Sequence, residues 1–323
     1  MKRFKNILFV ADAELKGGDA LDRAVILAEN NQAHLTVVSI IEDLPTRGSE
    51  EIQGISMSEL HDAIIDKHQL QLEGLLSSIS TKIQISSKVL SGVTFLALIR
   101  EVLSKKIDLL IKTVQEEELM EKLFGSSDMH LLRKCPCPVW LIKSSRQGHY
   151  KKIMAAIDFD PFNNKPEEDA LNRRILQMSA ALALSDFSEL HIIHVWHAYG
   201  ESSMRSGLAY QPAAYVDAYV DRIRTNHQHS LESLLADTLD QGGRDAKDYL
   251  KPKIHLVKGF ARDRIPEIVK EEKIDLIMMG TVGRTGIPGL LMGNTAETVL
   301  NRIDCSVLAV KPEGFITPVR LEE

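Results

Sequence analysis

The chain carries the same succession of apolar runs twice, and this internal repeat constrains the fold more than any other feature of its sequence. The run KNILFVAD at 5–12 matches KKIMAAID at 151–158, since both pass from basic through apolar residues to an aspartate. Near the ends of the two copies, CPVWLIK at 137–143 parallels CSVLAVK at 305–311. We therefore predict two tandem copies of one domain.

The length of the chain agrees with this duplication. Its 323 residues are about twice the usual size of a single α/β domain. A polar stretch with one glycine, SSRQGH at 144–149, separates the two copies and is typical of a short linker. We expect an N-terminal domain at 1–146 and a C-terminal domain at 147–323.

Short apolar runs alternate with longer amphipathic segments within each copy. In the first copy we predict strands at 7–11 and 35–41, and helices at 20–30 and 58–77. The second copy repeats the pattern, with helices at 171–184 and 215–239 and strands at 190–196, 254–258, 276–279 and 307–310. Such alternation predicts an open, doubly wound α/β fold with a parallel sheet, which binds ligands at the carboxyl ends of its strands.

Composition narrows the classes of function. Hydrophobic residues make up 44% and charged residues 26%, and no apolar run reaches the roughly 18 residues that a membrane span needs. The basic start is followed by an apolar run that is too short for a signal peptide, so we expect a cytoplasmic protein. With 39 basic against 45 acidic residues, the net charge of −6 disfavours nucleic acid as a partner.

A glycine-rich segment, GTVGRTGIPGLLMGN at 280–294, connects a predicted strand to a predicted helix. Glycines allow backbone N–H groups to approach a phosphate without obstruction by a Cβ, and the helix N-terminus contributes about half a positive charge. We expect Asn294 or Thr295 to cap this helix. The segment predicts an anion-binding site, and the alternative is a turn without a ligand.

The spacing of Gly280, Gly283 and Gly293 resembles the nucleotide-binding motif of the universal stress protein family. The resemblance extends over essentially the whole chain as two tandem domains, and it includes HLLRKCP at 130–136 and GNTAE at 293–297. It implies that each half is a five-stranded parallel α/β sandwich, Rossmann-like and similar to the adenine nucleotide alpha hydrolases. It also implies a stress-response function.

The resemblance assigns roles to individual residues. ATP-binding members of the family place two early glycines and a later glycine around the phosphates, and these roles fall on Gly280, Gly283 and Gly293. They place an aspartate after the first strand and a valine at the end of the second strand near the adenosine. Those two roles fall on Asp158 and Val195.

Residues beside the glycines complete the expected site. Met279 precedes the first glycine and would border the base. Asn294 stands where ATP-binding members have Ser or Thr, and it lacks the hydroxyl, although its amide can donate two hydrogen bonds and Thr295 follows it. Arg284 is suited to a bidentate phosphate contact, with a solvated loop arginine as the alternative.

The resemblance therefore implies that the C-terminal domain binds ATP or a related nucleotide, accompanied by Mg²⁺. No general base or metal-ligating acid stands beside the glycine-rich segment in the sequence. We expect slow ATP hydrolysis at most, and we assign no catalytic residues.

The first copy lacks the two early glycines. At an offset of 168 residues, Lys112 and Gln115 stand in their places, while Gly125 keeps the last one. Three glutamates follow at 116–118, where like charges would repel a phosphate. We expect the N-terminal domain not to bind ATP in the family manner, and to be structural or to face a partner.

Histidines and cysteines do not predict a metal site. His191 and His194 lie three residues apart in a predicted strand, so their side chains face opposite sides of the sheet. Cys135 and Cys137 lack the spacing of metal ligands, and we expect all three cysteines of the chain to be reduced thiols.

A long segment at 198–215 follows the second strand of the second copy and is rich in small residues and tyrosines. Because loops longer than about 12 residues are usually functional or disordered, we hypothesise that it lines or covers the C-terminal pocket. A nucleotide sugar, or an amphiphile with an acyl chain, would use such an apolar extension. The competing class is a pure interaction protein in which both pockets are vestigial.

The final strands of the two copies are Val139–Ile142 and Val307–Val310. Single-domain members of the family commonly dimerise through these strands. An unpaired apolar edge invites association, and duplication allows each copy to cover the other. We predict an intramolecular pseudo-dimer through these strands, in which any homo-oligomer uses other surfaces.

Overall fold

The computed structural model describes residues 4–11, 18–41, 57–114, 126–143, 149–163, 165–239, 249–282 and 292–321. The predicted domain boundary at 146 and 147 lies outside these ranges. The strands are β1 Asn6–Val10, β2 His34–Ile41, β3 Ile85–Ser91, β4 Leu109–Val114, β5 Val139–Lys143, β6 Lys152–Ala156, β7 Glu189–Trp196, β8 Lys253–Lys258, β9 Leu276–Gly280 and β10 Ser306–Val310. The helices are α1 Asp19–Asn31, α2 Met57–Ser77, α3 Thr94–Lys105, α4 Ser126–Lys134, α5 Pro166–Asp186, α6 Glu201–Ser206, α7 Ala213–Leu239, α8 Ala261–Glu272 and α9 Asn294–Leu300.

The ten strands form one sheet in the order β3-β2-β1-β4-β5-β10-β9-β6-β7-β8. The five strands of each half run parallel, and only the central pair, β5 and β10, is antiparallel. If β6 to β10 are matched to β1 to β5, the strand order read from one edge to the centre is the same as the order read from the other edge. This confirms the predicted α/β fold and the pairing of the final strands, in which Leu308 lies opposite Trp140.

Helices cover both faces of the sheet. One apolar layer packs α1, α2, α5 and α7 against one face, and a second layer packs α3, α4, α8 and α9 against the other. Each layer contains strand residues from both halves, because successive side chains of a strand point to opposite faces. The core is therefore continuous across the junction between the domains.

The two domains also meet through polar groups beside the α1 and α5 helices. Trp140 Nε1 donates a hydrogen bond to the Tyr150 hydroxyl over 3.2 Å, and burial raises the pKa of Tyr150 to about 12. The Arg23 guanidinium lies 4.3 Å from the centre of the Tyr150 ring and pairs with Asp186 at 2.7 Å. Both side chains of this ion pair are largely buried, so it fixes α1 of one domain against α5 of the other.

The segment at 198–215, which we predicted as a long loop, contains regular structure. Residues 201–206 form α6, and α7 begins at Ala213. Arg205 joins α6 to α7 through Asp217 at 2.8 Å, and Lys258 at the end of β8 contacts Glu201 at 2.5 Å. These ion pairs are tertiary contacts, which the turn-rich local sequence does not reveal.

Candidate functional site

The ends of β6, β7 and β9 lie side by side at the carboxyl edge of the C-terminal half. Ala156 pairs with Ile193 on one side and with Met279 on the other. Asp158 and Val195 each lie two residues beyond a member of this row. Because neighbouring strands are about 4.8 Å apart, the structure brings these three predicted site residues to one edge.

Met279 and Val195 share a face of the sheet. Met279 is 5% exposed and belongs to the apolar layer beneath α8 and α9, and the half-buried Val195 packs against the same layer. The helix α9, which starts at Asn294, covers that face. Met279, Val195 and the helix after the glycine-rich segment therefore lie on the same side.

Asp158 is exposed, and its backbone is held in place by α5. The Asp158 N–H donates to Asn172 Oδ1 over 3.1 Å, and Asn172 Nδ2 donates to the Asp158 carbonyl over 2.8 Å. Asn172 is 3% exposed, so the side chain that makes both hydrogen bonds is itself buried. Sequence reasoning missed Asn172, although an amide at a core-facing position of a helix is the signal that could have found it.

Residues near the two ends of the glycine-rich segment contact each other beside the end of β9. Val282 and Met292 form an antiparallel bridge, and the Gly293 N–H donates to the Thr281 carbonyl over 3.1 Å. Gly293 is therefore adjacent to the end of β9, although its own N–H is already used. Gly283 and Arg284 lie outside the described residues.

The start of α9 differs from the prediction that Asn294 or Thr295 caps it. Gly293 is the N-cap, with φ −64° and ψ 137°, and no side chain caps the helix. The first helical hydrogen bond runs from the Glu297 N–H to the Gly293 carbonyl over 3.0 Å. The backbone N–H groups of 294–296 precede this bond, so they are the donors that a helix N-terminus can offer to an anion.

Gly280 ends β9 under the helix α5. A Cβ at this position would lie 3.0 Å from Leu171 Cδ2, closer than an ordinary van der Waals contact. Packing therefore favours glycine at this position independently of any ligand, because α5 approaches the end of the strand closely.

Thr281 and Lys311 connect the glycine-rich segment to the N-terminal domain. Lys311 Nζ donates to Thr281 Oγ1 and to the Leu132 carbonyl, both over 2.5 Å, and to the Arg133 carbonyl over 3.3 Å. The lysine is 1% exposed, and burial lowers its pKa to about 7. Its acceptors include carbonyls in the last turn of α4, where a helix dipole favours a cation.

The register of the strands corrects the predicted match between the halves. Thr113 pairs with Ile142 in the same way that Gly280 pairs with Val310. Thr113, and not Lys112, therefore occupies the position of Gly280. The predictions for Gln115 and Gly125 lie outside the described residues.

Equivalent aspartates explain this register. The Asp108 carboxylate accepts the N–H groups of Lys5 and Asn6 over 2.7 and 3.2 Å, and Asp275 accepts those at 151–152 over 2.9 Å. The two aspartates are 167 positions apart, whereas the final strands match at 168. The additional residue of the second half lies between β9 and the final strand, where an alignment by the final strands alone cannot detect it.

An ion pair stands at the corresponding edge of the N-terminal domain. Lys112 Nζ lies 2.9 Å from Asp128 Oδ1, and Asp128 is in the first turn of α4 with 5% exposure. The helix α4 corresponds to α9 of the second half. A carboxylate therefore occupies the part of the N-terminal domain where the C-terminal domain presents backbone N–H groups.

A cavity of about 320 Å³ lies between α5 and α7, and its lining contains no described residue of the glycine-rich segment. Its polar lining includes Asp160, Asp169 and Asp237, and Arg173 pairs with Asp237 at 3.0 Å. The excess of carboxylates disfavours an anionic ligand there, so we do not place the candidate site in this cavity.

Four histidines of the second half form two separate pairs on opposite faces of the sheet. His194 Nε2 lies 2.8 Å from His227 Nδ1, and His191 Nδ1 lies 3.0 Å from His255 Nε2. Burial lowers the pKa of both His191 and His255. Within the ranges that the structure describes, no group of three or more potential ligands could hold a metal ion.

The family model of the universal stress proteins matches residues 3–143 and residues 149–311, one match in each half. The chain therefore belongs to the universal stress protein family, in a tandem arrangement.

Two full-length relatives are of the E type. Universal stress protein E of Escherichia coli K12 is 27% identical over 327 residues, which cover 100% of this chain and 99% of that protein. The universal stress protein E homolog of Haemophilus influenzae Rd is 28% identical over 317 residues, 96% of this chain and 98% of the homolog. The crystal structure of a functionally unknown protein from Pseudomonas aeruginosa PAO1 shares the fold, with a TM-score of 0.67 at 24% identity over 97% of this chain and 94% of that one.

Among the helices of the described ranges, none has the length and apolar character that crossing a membrane would require.

Proposed function

We propose that the C-terminal domain binds ATP or a related nucleotide, accompanied by Mg²⁺, and that it does so in a stress-response role. One observation carries the proposal: Asp158, Val195 and Met279 come together at the carboxyl edge where α9 begins. In doubly wound folds this edge is where ligands bind. The family membership adds that such a site is expected to take a nucleotide.

The phosphates would lie against the N-terminus of α9. The N–H groups of 294–296 provide donors, and the Asn294 amide and Thr295 hydroxyl are exposed beside them. Gly283 and Arg284 remain candidates for phosphate contact on the strength of the motif. Asp158, exposed and fixed through Asn172, would face the adenosine.

The N-terminal domain, in this proposal, is structural or faces a partner. Its Asp128 carboxylate is buried in the first turn of α4 and pairs with Lys112, so a phosphate at that helix would compete with a carboxylate of the domain itself. The domain boundary near residue 146, a cytoplasmic location and, at most, slow ATP hydrolysis belong to the same proposal. Any homo-oligomer would use surfaces other than β5 and β10, because these strands pair with each other.

A second candidate ligand is a nucleotide sugar or an amphiphile with an acyl chain. The segment at 198–215 exposes large apolar side chains: Tyr199 is 76% exposed and Tyr210 is 68% exposed. These side chains would supply apolar contacts that ATP does not need. The pure interaction protein, with no ligand at either edge, is the remaining class.

Mass spectrometry of the freshly purified protein, denatured to release any bound molecule, distinguishes these candidates. Thermal unfolding with added MgATP, with UDP-N-acetylglucosamine and with neither is the companion measurement, because a ligand that binds the folded state raises the midpoint. We expect a retained nucleotide or a midpoint increase with MgATP. A protein that retains no small molecule and is not stabilised by either compound would leave only the interaction class.

A further inference from the structure

Two cysteine thiols face each other in the turn between α4 and β5. Cys135 Sγ lies 3.5 Å from Cys137 Sγ, with a single proline between the two residues. Cys135 is fully buried and Cys137 is 6% exposed, and both are free thiols. A disulfide needs a sulfur separation of about 2.0 Å, so a small movement of this turn would join them.

The surroundings of the pair distinguish one thiol from the other. Burial alone would raise the pKa of each thiol, and it does so for Cys137, aided by the hydrogen bond to Cys135 and by the charge of Asp108. For Cys135, hydrogen bonds from the Cys137 side chain and backbone and the positive charge of Lys311 oppose the effect of burial, and its pKa is lowered. Cys135 is therefore the better nucleophile of the two.

We propose that Cys135 and Cys137 are a reversible oxidation site, in which a small hydroperoxide converts the two facing thiols into an intramolecular disulfide. The proposal is independent of nucleotide binding. It assigns the nucleophile to Cys135, the resolving thiol to Cys137 and the positive charge beside them to Lys311.

The chemistry balances with hydrogen peroxide as the oxidant. The Cys135 sulfur attacks one peroxide oxygen, the O–O bond breaks, and hydroxide leaves with the thiol proton as water, which produces a sulfenic acid. The Cys137 sulfur then attacks the Cys135 sulfur, the S–O bond breaks, and a second water leaves with the Cys137 proton. The thiols together lose two electrons and the peroxide gains them, and a dithiol reductant reverses the reaction by exchange.

Burial determines which oxidants can react. With 0% and 6% exposure, the two cysteines exclude a bulky disulfide such as oxidised glutathione, whereas hydrogen peroxide is close to water in size. Buried cysteines are generally inert, because desolvation disfavours the thiolate. Cys135 differs from other buried cysteines because the charge of Lys311 and the hydrogen bond from the facing thiol lower its pKa.

The site is coupled to the contact between the domains. Lys311 of the C-terminal domain donates to the carbonyls of Leu132 and Arg133, three and two residues before Cys135. Closing the disulfide would pull on this turn and would remove the negative charge of a Cys135 thiolate from the neighbourhood of the ammonium. Oxidation is therefore expected to weaken the Lys311 contact.

The test uses the full-length protein with Cys305→Ser, so that only the two facing thiols remain. After stoichiometric hydrogen peroxide and denaturation, we expect the thiol count to fall from two to zero and the intact mass to fall by two hydrogen atoms, both reversed by dithiothreitol. Oxidised glutathione should cause neither change in the folded protein. Two persisting thiols, or a mass that indicates only dimers linked between chains, would overturn the proposal.

Single substitutions separate the roles of the two cysteines. Cys137→Ser should stop the reaction at a sulfenic acid on Cys135 that dimedone traps, and Cys135→Ser should give no dimedone adduct. The reverse labelling would show that the nucleophile is misassigned.

Substitutions of Lys311 test its part in the reaction. Lys311→Met should slow thiol loss at pH 7 by about three- to fourfold for each unit by which the Cys135 pKa rises, because a smaller thiolate fraction is partly offset by a more nucleophilic thiolate, and Lys311→Arg should restore the rate. Equal rates for wild type and Lys311→Met, with both proteins folded, would show that Lys311 does not activate Cys135.

Discussion

Lys311 shows how one side chain joins the two domains at the base of the glycine-rich segment. Its ammonium has three donors, and the structure supplies three oxygen acceptors, two of them from the other domain. A lysine occupies matched positions at the ends of the final strands, Lys143 as the last residue of β5 and Lys311 directly after β10, yet Lys143 pairs with Asp304. The same residue type at matched positions therefore makes different contacts, because the residues facing it differ.

The stability contributed by Lys311 should depend on pH. Its pKa is about 7 in the folded protein and about 10.5 when unfolded, so between these values the unfolded chain binds more protons. The free energy of unfolding of wild type, relative to Lys311→Met, should therefore rise as the pH increases from 7 towards 10. Urea unfolding of both proteins at pH 7, 8 and 9 measures this difference, and a difference that is constant across the range would contradict the lowered pKa.

Gly280 should matter for packing as well as for any ligand. Gly280→Ala would place a Cβ 3.0 Å from Leu171 Cδ2, and we expect a loss of about 1 kcal/mol in the free energy of unfolding. In a Leu171→Ala background the contact is absent, so the same change should cost much less. A penalty of equal size in both backgrounds, measured by urea unfolding, would locate the strain elsewhere.

The central strands β5 and β10 are the elements that turn two domains into one sheet. Leu308 is 3% exposed and lies opposite Trp140, whereas Leu70 in α2 is 68% exposed. Leu308→Lys should lower the free energy of unfolding by about 3 kcal/mol or more and promote aggregation, because it buries an unpaired charge and exposes a strand edge.

Leu70→Lys is the matched control, since it makes the same chemical change on a helix surface. Its free energy of unfolding should stay within about 0.5 kcal/mol of wild type. Equal effects from the two lysines would show that the β5–β10 pairing does not hold the domains together.

Most elements could be predicted from the sequence, because the strands are apolar runs and the long helices are amphipathic segments of typical length. The pairing of 139–142 with 307–310 was expected from the family resemblance together with the duplication. The match of Thr113 to Gly280 was missed because the copies were aligned by their final strands at an offset of 168, whereas KIDLL at 106–110 and KIDLI at 273–277 match at an offset of 167. The cap at Gly293 and the helix α6 were missed because tertiary contacts, and not local propensity, determine them.

The whole molecule is a pseudo-twofold arrangement whose two ligand edges differ in the polar groups at the start of the covering helix. One edge has the N–H groups at the start of α9, and the other has the buried Asp128 carboxylate paired with Lys112. A symmetric sheet therefore carries an asymmetric pair of sites. If only the C-terminal edge binds a nucleotide, each chain binds one.

Isothermal titration calorimetry with MgATP, on wild type, Gly283→Asp and Gln115→Asp, tests that claim most directly. The two substitutions add the same charge to the corresponding segments of the two halves. We predict one nucleotide for each wild-type chain, binding abolished by Gly283→Asp because a carboxylate meets the phosphates, and binding unchanged by Gln115→Asp. Two nucleotides for each chain, or equal loss from both substitutions, would contradict the account.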